Sequence, residues 1–151
     1  MNRRLRKKFS RRLFGAIQAG DVVAVRALLG AGVDPEGSDS EGTTPLYAAA
    51  VNGEAAIVGL LLSAGASPDV ESRGGGAEGT ALCAAACWGH TETVRELLVF
   101  GADPNVREDG GVGWSPLEWA NRGPHPETAA LLVAAGADIG NGPRREGSSA
   151  L

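Results

Sequence analysis

Large side chains are scarce in this sequence. Only 5% of its 151 residues are aromatic, with three Phe, three Trp and one Tyr. A core built on stacked rings is thereby excluded, and helices packed closely through small residues are favoured. No apolar run reaches the ~18 residues that a membrane-crossing helix requires. The basic N-terminus is not followed by the apolar stretch of a secretory signal, so the expected location is cytoplasmic. The two cysteines, Cys83 and Cys87, stand four apart. On a helix that spacing stacks them one turn apart, where a disulfide is strained, so free thiols in a reducing compartment are expected. The two histidines, His90 and His125, are too few for a metal centre of four protein ligands: with Cys83, Cys87 and His90 the second ligand pair is missing. No Ser-His-Asp set sits on a nucleophile elbow. No cofactor, metal or catalytic residue is therefore expected, and the chain reads as a non-enzyme.

Lysine is also rare. Lys7 and Lys8 are the only two, and every other cation is Arg. With abundant Ala and Gly, this suggests a GC-rich bacterial genome. Charge is unevenly placed. Arg3, Arg4, Arg6, Lys7, Lys8, Arg11 and Arg12 put seven cations and no acid into the first twelve residues. Of fourteen cations, seven remain against eighteen acids beyond that point, so the body carries 7 − 18 = −11. Residues 1–12 are accordingly read as a basic arm.

What is plentiful is self-similarity, which bears on everything else. The segments at Gly30–Pro35, Ala64–Asp69, Phe100–Asn105 and Ala135–Asp138 are copies of one another. Their shared glycines, 32, 65, 101 and 136, are spaced by 33, 36 and 35 residues. Thr44-Pro45-Leu46, Thr80-Ala81-Leu82 and Ser115-Pro116-Leu117 each precede the next glycine by 21 residues. Counting back 21 from Gly32 gives Arg11, with Leu13 in the leucine position, which makes four units. The gaps from glycine to the next Thr or Ser vary, at 12, 15 and 14 residues. Packed structure of fixed length therefore alternates with exposed loops. Within each block, Thr or Ser is an N-cap, often with Pro at the first helical position, and the final glycine suits a left-handed C-cap. Apolar residues align in columns: Val25, Val58, Val94 and Ala129; Leu28, Leu61, Leu97 and Leu132; Leu29, Leu62, Leu98 and Val133. Their spacing of three and four places them on one helix face. Ala16, Ala49, Ala85 and Ala120 form a small-residue column where helices approach closely.

These residues resemble the ankyrin repeat, a unit of about 33 residues marked by Thr-Pro-Leu-His-x-Ala. Repeat two carries the likeness through Gly42-Thr43-Thr44-Pro45-Leu46, Asn52-Gly53 and Ala64-Gly65-Ala66. Repeat three carries it through Gly89-His90, Leu97-Leu98 and Gly101-Ala102-Asp103-Pro104-Asn105. The signature histidine is replaced by Tyr47, Cys83 and Glu118, and repeat four has Pro124-His125-Pro126 in place of Gly-His. The resemblance implies an all-α solenoid of four helix-turn-helix repeats over 13–140, at about 11–40, 41–76, 77–111 and 112–140, with extended loop tips. Residues 141–151 are read as a flexible tail.

The same resemblance implies protein binding through a concave surface formed by turn tips and first helices. Carried over by position, the partner-binding candidates are Glu41, Thr43, Tyr47, Asn52, Trp88, Val112, Trp114 and Arg122. Trp88 and Trp114 are the sharpest, because Trp and Arg are enriched at binding hot spots. The alternative is that both rings merely cover neighbouring structure. Trp119 is expected in the core. The glycine-rich segments Glu71–Gly79, with Gly74-Gly75-Gly76, and Arg107–Gly113 read as mobile tips that order against a partner or as tolerated insertions. The Glu108 and Asp109 pair reads as solvated. The basic arm admits contact with nucleic-acid phosphates, contact with an anionic membrane through Leu5, Phe9 and Leu13, or a role as a polar cap on the first helix. At the far end, Ala130 and Leu131 stand where repeat three has Arg95 and Glu96, which implies a cover by the tail or by a second copy in a homodimer. The expected partner is a cytosolic protein, still unidentified.

Overall fold

A computed structural model describes residues 2–74 and 77–140; the expected tail at 141–151 and the Gly75-Gly76 pair lie outside the described residues. Four helical hairpins stack in register. They are α1 (Arg3–Gln18) with α2 (Val22–Gly30), α3 (Pro45–Val51) with α4 (Ala55–Ser63), α5 (Ala81–Cys87) with α6 (Thr91–Val99), and α8 (Pro116–Arg122) with α9 (Pro126–Ala134). The first helices form one layer, with α3 between α1 and α5 and α5 between α3 and α8. The second helices form another, with α4 between α2 and α6, and α6 against α9.

Local chemistry sets each start. The side chains of Thr44, Thr80 and Ser115 accept from the backbone N–H three residues on, and Ser115 with Glu118 completes a capping box. The repeat-ending glycines, such as Gly65 and Gly101, take positive φ and close each hairpin. Val25, Val58, Val94, Leu61, Leu97 and Leu132 are fully buried, as are Ala49, Ala85 and Ala120. Apart from Val133, which the spacing places in the third column but which is 40% exposed at the end of the stack, where no further repeat covers it among the described residues, the columns form a single core running through all four repeats. Each repeat alone leaves its apolar face open, so stacking provides the stability.

The arm is continuous with the first helix. Asn2 caps α1, and Leu13, Ala16 and Ile17 of the same helix are buried in the stack. The loop at 71–80 differs from a mobile tip. Glu71–Gly74 (β1) and Ala77–Thr80 (β2) pair antiparallel, with Glu71 opposite Thr80 and Gly74 opposite Ala77. The extra residues are long enough to pair with themselves, and the ribbon is anchored sideways: Arg73 N–H donates to Gly42 O at 3.1 Å and Thr44 N–H to Ser72 Oγ at 3.2 Å. The next loop also closes on itself, as the single turn α7 (Glu108–Gly111), with Asp109 and Gly110 at positive φ.

At the far end, Leu131 is half-buried and packs against the core, while Ala130 and Val133 are exposed.

Candidate functional site

Two recurrent devices hold the first-helix layer rigid. His90 Nε2 lies 3.0 Å from Val51 O, and His125 Nε2 lies 2.9 Å from Cys87 O. Each imidazole reaches back to the final turn of the preceding first helix. His125 fills that role despite its flanking prolines, so the irregular sequence of repeat four preserves the link. The rings also explain the glycines beneath them: a Cβ at Gly53 would meet His90, and one at Gly89 would meet His125. Along the loops, Ser67 N–H donates to Glu36 Oε1, Asp103 N–H to Asp69 Oδ1, and Asp138 N–H to Asn105 Oδ1, linking each repeat to the next.

On this frame repeats three and four bring aromatic rings and ionisable groups together. Trp114, just before the α8 cap, lays its half-buried ring against Trp119 with centroids 4.8 Å apart and planes tilted by 44°. The Arg122 guanidinium sits over the Trp114 ring, 4.7 Å from its centroid. Trp119, expected in the core, is half-buried: it packs against the edge of the core and joins Trp114. Its position is held by small alanines, Ala48 and Ala84, in repeats two and three, so the indole is a local addition that contacts Trp114 and Glu108.

Glu108 organises this cluster, and it is not solvated as its loop position suggests. Its Oε2 accepts from Trp119 Nε1 at 3.0 Å, and the Thr80 N–H and the Cys83 thiol lie close enough to stabilise the carboxylate charge. Burial raises its pKa above the usual carboxylate value, while these three donors pull it partway back. The carboxylate packs on Gly79 of β2, where a Cβ would overlap Glu108 Oε1. Loop 107–113 is thus clamped onto the hairpin of the preceding repeat. Beside it, Arg107 pairs with Glu118 at 3.3 Å and donates to Gly113 O at 2.9 Å. Glu118 and Cys83 thus occupy the signature-histidine positions with other contacts. Glu118 closes its own cap, and Cys83 Sγ lies 3.7 Å from Trp114 O of the next repeat.

The remaining candidates divide. Tyr47 is half-buried near this cluster, and burial followed by the Glu108 charge pushes its phenol up. Trp88 ends α5 with 63% of its surface exposed, and Val112 is exposed at the tip of the α7 turn. Glu41 and Asn52 are exposed, whereas Thr43 is half-buried on the Asp39-bridged turn, with its N–H donating to Asp39 Oδ1. The arrangement favours contact over chemistry. Burial first, and then the Glu108 charge, raises both Cys83 and Cys87, so neither is an activated thiolate. Among the described residues no group of three or more His, Cys, Asp or Glu is placed to hold a metal ion, and no helix is long and apolar enough to cross a membrane.

Sequence comparison places this architecture. The family model for ankyrin repeats (3 copies) matches residues 11–72 and 66–142. A curated relative, the 2-5A-dependent ribonuclease of Mus musculus, is 45% identical over 64 residues, which is 42% of this chain and 9% of that protein. The chain thus spans a small fraction of that relative's length. With nearly all its body matched and four hairpins stacked on shared columns, the chain belongs to the ankyrin repeat family.

Proposed function

We propose that the chain is a non-enzymatic adaptor or inhibitor that docks a cytosolic protein on the concave face of repeats two to four. Ankyrin repeats are generally protein-interaction modules. The observation that carries the specific reading is Trp88, 63% exposed at the end of α5, in the repeat before the Trp114–Trp119–Arg122 cluster. A large exposed ring held by a rigid helix binds at low entropic cost. Glu41, Thr43, Tyr47, Asn52 and Val112 form the surrounding contact surface, with Thr43 and Tyr47 contributing their half-exposed edges.

Affinity capture from the native host, compared between the wild type and Trp88→Ala/Arg122→Ala, tests this. Both residues are exposed, so far-ultraviolet circular dichroism should be unchanged. A specific binding protein should be recovered with the wild type and lost with the double variant. Recovery of the same protein by both places the docking surface elsewhere.

A further inference from the structure

One strongly charged surface lies outside the concave face. In α1, Arg4, Lys7, Lys8, Arg11 and Arg12 follow the spacing i, i+3, i+4, i+7 and i+8, which puts all five on one helix face. They alone line a shallow depression there. All are exposed, and among the described residues none forms an ion pair. Asp34 and Asp39 line an adjoining groove with Phe9 and Phe14, which Lys7 and Arg11 also border without pairing with either acid. No acid caps the first turn of α1, so cations crowd the positive end of the helix dipole and each other. Such an arrangement weakens the isolated helix and is relieved by an anion.

We propose that this face binds the phosphodiester backbone of duplex nucleic acid without reading sequence. This is independent of protein docking on the concave side. The helix rises about 1.5 Å per residue, so the stripe from Arg4 to Arg12 runs ~12 Å. Duplex DNA carries one charge per ~1.7 Å of axis, or about seven phosphates over that length. The ligand must be a charged polymer presented on a rigid surface, because the helix offers no free ring for bases: Phe9 is half-buried and covered by Arg12 at 5.8 Å. A bilayer fits poorly. Leu13 is fully buried and Phe9 packs on the core, which leaves only Leu5, 42% exposed, to enter lipid. The −11 body repels a polyanion from the rest of the molecule and confines it to this end.

The test is fluorescence anisotropy with the full chain and two labelled 20-base-pair duplexes of unrelated sequence. Engaging five phosphates gives a log–log salt slope of about −4.5, or roughly a 500-fold loss of affinity between 50 and 200 mM salt. Equal affinity for both duplexes is expected. Replacing Arg4, Lys7, Lys8, Arg11 and Arg12 by Gln should abolish binding and, without ligand at low salt, raise the melting temperature. Arg26→Gln/Arg95→Gln, which alters exposed cations elsewhere, should leave binding intact. Failure of the wild type to bind at 50 mM salt overturns the proposal, as does binding that survives the five-residue change or ignores salt. Tighter binding to phosphatidylserine vesicles than to duplex at equal phosphate assigns the face to membranes instead. A salt-sensitive dimer in sedimentation that excludes duplex assigns it to a second copy.

Discussion

Replacing Gly79 with Ala tests how the loops are tied together. The substitution acts twice. Gly79 has φ +117°, a region that side-chain-bearing residues rarely adopt, and holding Ala there costs about 1–3 kcal/mol. The new Cβ would also overlap Glu108 Oε1, driving the carboxylate off Trp119 Nε1, which it now holds at 3.0 Å. A hydrogen bond to a charged group contributes about 1.5–3 kcal/mol. Rehydration of a half-buried carboxylate returns part of that, leaving about 1 kcal/mol. The sum is about 2–4 kcal/mol, a large share of the stability of a small domain. Urea unfolding of Gly79→Ala, Glu108→Ala and the double variant separates the two parts. In the Glu108→Ala background the clash is gone, so the glycine change should cost about 1 kcal/mol less than in the wild type. Equal costs in both backgrounds, or a wild-type cost within about 0.5 kcal/mol of zero, would refute the clamp.

Other consequences follow from burial and charge. Leu97→Ala should destabilise by about 2–5 kcal/mol, since Leu97 is fully buried. Val99→Ala, two residues away and 74% exposed, should stay within about 0.5 kcal/mol by the same denaturant titration. The folded pKa of Glu108 lies above its ordinary 4.5, so the folded state holds that proton more tightly. Its contribution is fully present below the ordinary value and is lost as pH rises through the folded one. Glu108→Gln should therefore be relatively more stable at neutral than at acid pH when its melting temperature is compared with the wild type. Removing the imidazole in His125→Ala should cost about 0.5–1.5 kcal/mol by losing the bond to Cys87 O, measured by thermal melting.

The repeat architecture was legible because it is written locally and four times over. Cap residues, terminal glycines and leucine columns each follow from spacing, and Thr44, Gly65 and Leu61 behave as that spacing requires. What stayed hidden depends on contacts between repeats. Glu108 looks solvated on its loop until Gly79, 29 residues earlier, is seen to leave room for its carboxylate. Trp119 looks like core because its neighbours in the helix are core; its half-buried ring instead meets Trp114 and Glu108 of the preceding loop, which helix spacing does not reveal. The hairpin at 71–80 was masked by its glycines, which read as slack although β1 is anchored by Gly42 and Thr44 of the preceding repeat. His125 kept its function because the bond needs only ring position, which the surrounding prolines do not disturb.

The docking face is tested most directly by site-specific photo-crosslinking in native host cells. A photoreactive phenylalanine analogue placed at Trp88, and separately at Val23 on the exposed side of α2, reports which surface meets a protein. The account predicts a discrete adduct from position 88 and none from position 23. An adduct from position 23 alone would contradict it.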